Sequence, residues 1–343
     1  MTTVPAGDLE RWGRALLEAG GLEPAAASTV AETLVDASLR GVDSHGVARI
    51  PVYVERLRAA ALNRRPHPSV LRRDGGVALV DGDQGPGQVA GVFATDLSVE
   101  LAREHGVGVV SVRRSAHYGA AAYYSRRAAA AGLVAVSLTN SEPLVVPYGG
   151  TARALGTNPI SLAAPTTTGI FDLDMATSQV AINRILNARD EGRAIPGGWG
   201  VDTRGQTTTH PGEVYAGVPL GGYKGYVLAV MVEVLCGVLA GAGITHGIGD
   251  LYGGGTEPQD VGHFHLAIDP EHTVGLDRFA AMLDSLLAEL AATPVAPGHD
   301  EVLRPGDPEQ RTRAVRERDG VPLAPGLAAN LRALSDELGV AVP

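Results

Sequence analysis

Only one cysteine, Cys236, occurs in the 343 residues of this chain. A lone thiol cannot close an internal disulfide, and it excludes a cysteine-rich metal cage. Aromatic residues are scarce at 4%, so any core must be packed from Val, Leu, Ile and Ala. Basic residues are outnumbered, 28 against 38 acidic ones, for a net charge of −10. That balance disfavours nucleic acid as a partner, because phosphate backbones need a basic face. Small anions stay open, since they need only a local basic pocket. Uninterrupted apolar runs are also missing. The most apolar stretch, YVLAVMVEVLCGVLAGAG at 226–243, carries Glu233 near its centre and reads as a buried helix rather than a membrane span. The first residues lack the basic-then-apolar order of a signal peptide. A soluble, cytoplasmic protein with no membrane partner is expected.

A chain of this length has room for about two domains. The first 62 residues read as helices. One runs over 9–19, with Asp8 as N-cap and a stop at Gly20-Gly21; a second runs from Pro24 to about Leu39. A third lies in ARIPVYVERLRAAAL at 48–62. Strands at 76–82, 107–112 and 133–139 then alternate with helices at 89–106 and 120–132. Beyond 140, short strands give way to a segment at 171–192 that starts extended and turns helical. A helix at 226–241, a Gly-rich loop at 247–255, a strand at 263–269 and a helix at 276–292 follow. Residues 293–309 form a linker by composition, and two amphipathic helices close the chain. The division expected is a helical region, 1–75, packing with 293–343, beside an α/β domain at 76–292.

Three stretches carry polar chemistry. In VRRSAHYG, Ser115 and His117 fall where a strand hands over to a helix. A parallel crossover from 107–112 to 133–139 brings both strand ends to one sheet edge, near Asn140 and Ser141. A helix-capping Ser115 beside a surface histidine is the simpler alternative. In GVDSHGVARIPVYVERL, His45, Arg49 and Tyr53 share one face if the segment is helical, and Arg binds carboxylates bidentately. Pro51 argues that the helix starts later. In PLGGYKG, Gly221, Gly222, Lys224 and Gly225 precede a helix, an arrangement suited to an anion. GPGQVA at 85–90 matches the dinucleotide pattern G-x-G-x-x-A. It stands three residues beyond its strand, however, and no acid follows for a ribose. HFH at 263–265 lacks a third ligand, and neither H-E-x-x-H nor G-x-S-x-G occurs, so no metal is expected.

Taken together, GVDSHGVARIPVYVERL, SAHYGAAAYYSRRAA, GLVAVSLTNSEPLVVPYGG, LGTNPISLAAP, FDLDMATS, IPGGWGVD and PLGGYKGYVLAVMVEVLCGVLAGA resemble, in order, the malate/L-lactate dehydrogenase family. This family is distinct from the Rossmann-type lactate and malate dehydrogenases. It includes ureidoglycolate, sulfolactate and diketogulonate oxidoreductases and the Δ1-piperideine-2-carboxylate reductases. The resemblance implies a mixed α/β (α+β) fold with a non-Rossmann NAD(P)-binding domain, a largely antiparallel or mixed sheet and a helical N-terminal region. It also implies a homodimer with its active site near the subunit interface. By the same resemblance His117 and His45 are catalytic, His117 as proton donor and acceptor, and Arg49 and Tyr53 bind the substrate, Arg49 through its carboxylate. Ser141, Thr157, Asn158, Asp174, Met175, Ala176 and Lys224 map to contacts with NAD or NADP.

The function implied is hydride transfer between NAD(P)H and a small 2-oxo or 2-hydroxy acid. Reduction of a cyclic imino acid in the same pocket is the alternative. A histidine titrating near working pH would serve either reaction. The chain departs from the family pattern at Ala116, where asparagine is common, and at Asn183-Arg184, where glycine-lysine is often found.

Overall fold

The computed structural model describes residues 2–252 and 255–343. A short strand, β1 (Thr2–Val4), leads directly into α1 (Ala6–Ala19), followed by α2 (Pro24–Leu39). Helix α1 starts earlier than the expected cap: Pro5 holds the N-cap place, and Asp8 sits in the first turn. The 41–58 segment forms two single 3₁₀ turns, at 43–45 and 47–49, before α3 (Ile50–Arg58) begins with Pro51 in its first turn. The expected single helical face is therefore broken ahead of the proline. A ring that removes one N–H is tolerated only at a helix start.

The sheet has seven strands. They are β2 (Ser69–Asp74), β3 (Val77–Asp81), β4 (Val107–Ser115), β5 (Val134–Thr139), β6 (Ile160–Pro165), β7 (Ile170–Met175) and, far later in the chain, β10 (Val261–Ile268). Their order across the sheet is β2-β3-β4-β10-β5-β6-β7. Only β3 and β4 run parallel as neighbours, joined by α4 (Gly87–His105), which ends on Gly106 at φ 81°. Every other neighbouring pair is antiparallel. The sheet is mixed, and its order is not that of a Rossmann fold.

The expected crossover is present, with one strand inserted between its two ends. β4 and β5, linked by α5 (Ala122–Ala130), point the same way but are not neighbours, because β10 lies between them and pairs with both. The strand ends still share one edge, since each runs opposite to β10. At that edge β10 starts, β3, β4, β5 and β7 finish, and β6 begins, with Ile160 opposite Met175.

Between β7 and β10 lie α6 (Ile182–Asp190), the short pair β8 (Gly200–Val201) and β9 (Ala216–Gly217), and α7 (Tyr223–Val232). α7 runs into a π-helical turn at Glu233–Val238, so the expected 226–241 helix is interrupted where the carboxylate falls. Of the expected Gly-rich loop at 247–255, residues 253 and 254 lie outside the described residues. After α8 (Leu276–Ala291) come α9 (Asp307–Asp319), β11 (Val321–Leu323) and α10 (Pro325–Leu338). α9 is not amphipathic in its packing, for it buries no residue and is tied down by Arg313 on Asp36 and Arg316 on Asp43. β11 pairs with β1, and α10 adds Ala328 and Leu331 to the core of α1–α3.

Candidate active site

The crevice forms where the loop after β4 meets the 41–58 segment. His117 and His45 stack, with ring centroids 5.6 Å apart and planes 19° from parallel. Tyr53 comes from α3, and its hydroxyl lies 2.6 Å from His117 Nδ1. Gln88, in the first turn of α4, donates through Nε2 to the same hydroxyl at 2.8 Å. Gln259 Oε1 accepts the backbone N–H of His117 at 3.1 Å. Among the described residues, His117 Nε2 has no protein partner and is free for a ligand.

The two rings are neutral at pH 7. Burial, then the Arg49 charge, brings His45 down to about 4. Burial, then His45 and Arg49, holds His117 well below the usual histidine range. The expectation of a histidine titrating near working pH is thus corrected: a crevice that already holds a guanidinium disfavours a second cation. Arg49 is 8% exposed, forms no ion pair among the described residues, and lies 5.4 Å from the centroid of the Tyr252 ring. Its Nε is buried without a partner. A buried guanidinium with unused donors is costly unless an anion completes it. Tyr53, expected from the sequence to face the substrate, is 2% exposed and spends its hydroxyl on His117 and Gln88.

A second group of residues lines the same edge of the sheet. Ser141 follows β5, and its Oγ accepts the Thr157 N–H at 3.2 Å. Asn158, at φ 40° and fully buried, accepts the Ser141 N–H at 3.2 Å. Thr157 O accepts the Thr177 N–H, and Thr177 O accepts the Leu220 N–H, both at 2.9 Å. Thr177, directly after Asp174, Met175 and Ala176 at the close of β7, is thereby bonded both to the Thr157 turn and to the turn before α7. Asp174 Oδ2 also accepts the Ala122 N–H at the start of α5, so this carboxylate, and not Ser115, serves that helix end. Lys224 stands exposed in the first turn of α7, with no ion pair among the described residues and no side-chain cap on the helix start.

His263, from the central strand, links the two groups. Its Nε2 bonds Ser115 Oγ and its Nδ1 bonds Thr139 Oγ1, each at 2.8 Å, and its ring stacks on Tyr118 at 4.5 Å. Glu233 fastens the other side. It accepts from Asn158 Nδ2 at 3.0 Å and from Asn140 Nδ2 at 3.2 Å, and burial raises its pKa. The helix thus finishes in a π-helical turn, a rare form that is frequently found at functional sites.

Sequence reasoning missed Gln88, Gln259, His263 and Glu233 as parts of the site. One available signal went unused: Lys224 is the only lysine in the chain, every other basic side chain being arginine. The GPGQVA stretch also has a different role from the one its pattern suggests. A Cβ on Gly87 would lie 2.1 Å from Ala116 O and 2.8 Å from the His117 carbonyl carbon. The close approach that a glycine permits to a pyrophosphate is here taken up by the chain's own backbone.

Comparison with known proteins gives a consistent set of likenesses. A family model described as malate/L-lactate dehydrogenase matches residues 4–332. Malate dehydrogenase of Pyrococcus abyssi is 38% identical over 324 residues, 92% of this chain and 89% of that protein. Ureidoglycolate dehydrogenase (NAD(+)) of Escherichia coli O157:H7 is 38% identical over 299 residues, 86% of each. The structure of sulfolactate dehydrogenase from Methanocaldococcus jannaschii superposes with a TM-score of 0.92 at 34% identity, covering 99% of this chain and 98% of that one. Δ1-Piperideine-2-carboxylate reductase from Pseudomonas syringae has a TM-score of 0.85 at 30% identity, covering 97% and 100%.

Proposed function

From the premise that this chain belongs to the malate/L-lactate dehydrogenase family, we propose that it moves hydride between NAD(P)H and a small 2-oxo or 2-hydroxy acid. One observation carries this reading: a buried guanidinium, Arg49, and the Nε2 of an imidazole, His117, share one crevice, both without a partner among the described residues. The first suits a carboxylate and the second suits the neighbouring oxygen, which changes its proton during the reaction. His45 stacks against His117 and fixes the plane of its ring.

The nicotinamide cofactor, when bound, supplies or takes the hydride. The residues between β5 and α7 fit such a ligand. An uncapped helix start and a free ammonium suit phosphate oxygens, and the exposed rings of Tyr148 and Tyr223 beside them offer apolar surface. In this reading Ser141, Thr157, Asp174, Met175, Ala176 and Lys224 hold the cofactor against the crevice, and the fully buried Asn158 holds the Ser141 turn from behind. A bound carboxylate would offset the Arg49 charge and make the His117 ring more basic, which favours a new proton on Nδ1 as Nε2 gives up its own.

The similarity to a Δ1-piperideine-2-carboxylate reductase supports a second reading, in which Nε2 protonates an imine nitrogen. The polar groups of the crevice serve either reaction. We further propose a homodimer. The face of α7 and its π-turn presents Val227, Val230, Met231, Val234 and Val238 to solvent in the protomer, a surface suited to a second copy. The single buried thiol suits a reducing compartment such as the cytoplasm.

The test is a panel of 2-oxo acids and cyclic imino acids with NADH and NADPH, followed at the nicotinamide absorbance. Turnover of an oxo acid is expected. Turnover of cyclic imino acids alone would favour the second reading, and none with either class would reject both.

A further inference from the structure

The geometry points to Gln88 as a positioning residue that sets, through Tyr53, which nitrogen of His117 carries the proton. This inference deepens the reading of His117 as the proton-handling group and rests on it. Three polar atoms form a chain from the first turn of α4 to the crevice. Gln88 Nε2 can only donate, and it lies 2.8 Å from the Tyr53 oxygen. That oxygen's own hydrogen is then directed to its other neighbour, His117 Nδ1, at 2.6 Å. Nδ1 is thereby an acceptor, and the proton of the neutral imidazole sits on Nε2, the atom with no protein partner among the described residues.

The direction of this chain rests on Nε2, and not Oε1, facing Tyr53; Gln88 Oε1 is buried without a partner among the described residues. Gln88 is fully buried, Tyr53 is 2% exposed, and no charged group is hydrogen-bonded to either. Gly87 holds the start of α4 against the Ala116–Tyr118 backbone, which fixes the distance between Gln88 and the His117 loop. The residue that follows the second glycine of the GPG stretch thus acts on the reacting side chain itself.

The chemistry follows from this direction of donors. In reduction, Nε2 releases its proton to the substrate oxygen or nitrogen while the Tyr53 O–H bond breaks and an Nδ1–H bond forms. Burial pushes the Tyr53 phenol up to about 12, so the phenolate is short-lived, and the Gln88 N–H donor and the Arg49 charge are what favour it. When the product leaves, Nε2 takes up one proton from the solution and the Nδ1 proton returns to Tyr53, so each reduction consumes one solvent proton. A histidine held neutral by its surroundings can therefore still act as an acid at pH 7.

The experiment is nitrogen NMR of the full chain labelled with ¹⁵N-histidine, without cofactor or substrate. The His117 signals are assigned by their loss in His117→Ala. Wild type is expected to show a bare Nδ1 and a protonated Nε2 at pH 7. In Gln88→Glu the carboxylate accepts the Tyr53 hydrogen, and the tautomer should invert. In Gln88→Met, the fallback if the buried charge prevents folding, the two tautomers should mix. In a Tyr53→Phe background, Gln88→Met should change the ring shifts no further.

A wild-type ring protonated on Nδ1 would overturn the proposal. So would wild-type shifts retained in both Gln88 variants, or in Gln88→Met alone where Gln88→Glu does not fold. In steady state, Gln88→Met should lower kcat roughly tenfold with little change in KM, because a wrong tautomer reduces turnover and not binding. The ring shifts are read without turnover, so they judge Gln88 separately from the role of His117, which His117→Ala tests.

Discussion

At the scale of single residues, the crevice makes distinct demands on its two basic groups. His117→Ala should cut turnover by on the order of 10²-fold or more, with NAD(P)H binding nearly intact. Retained turnover across pH 6–9 would remove His117 from the chemistry. Arg49→Lys keeps a charge but loses the planar fork, so the substrate KM should rise clearly more than the cofactor KM. Saturation curves that superimpose on wild type would remove Arg49 as the carboxylate partner. Buried histidines also shape the acid limb of stability. His265 is buried, its Nε2 has no partner among the described residues, and burial lowers its pKa to about 3. The unfolded chain therefore binds a proton near pH 6.5 that the folded chain refuses, so this contribution is intact above that pH and is lost as pH falls toward 3. Urea midpoints measured from pH 7 to pH 4 should decline less steeply in His265→Leu than in wild type.

Among the elements, the turns around α4 and α7 hold the two halves of the site. Glu233 accepts hydrogen bonds from both Asn140 and Asn158. Glu233→Gln would set an NH₂ group against one of those amides and should cost about 1–3 kcal/mol of stability. A urea midpoint unchanged from wild type would show that the π-turn holds these loops without its carboxylate. Much of this was legible in the sequence. The strands β3, β4 and β5, the helices between them, and the convergence of Ser115 and His117 with Asn140 followed from periodicity and glycine stops. β2 did not, because all six of its residues are exposed and SVLRRD shows no alternation. β1 and β11 did not either, since three-residue strands pair only through contacts more than 300 positions apart. The polar network had the weakest signal. His263 looked like half of an absent metal site, and Gln88 lay inside a glycine pattern with a more familiar meaning. Tyr53 was singled out, but its partner could be learned only from the fold.

For the molecule as a whole, the apolar face of α7 should decide the assembly. Val238 is 63% exposed in the protomer, and Val238→Glu should shift a sedimenting dimer toward monomer, since a buried unpaired carboxylate opposes association. A wild-type monomer at micromolar concentration would show that α7 faces solvent. The place of β10 has a further consequence, for the order in which the chain can be assembled. Six strands of the sheet lie within residues 69–175, while the one that joins β4 to β5 arrives only at 261–268. During synthesis, β2-β3-β4 and β5-β6-β7 wait as two separate fragments, each with an open inner edge ready to pair with a neighbouring chain. Nearly 90 residues must leave the ribosome before that gap is filled. Until then His117 and Ser141 belong to different fragments, so the nascent chain is most exposed to mispairing in the interval when it is also inert.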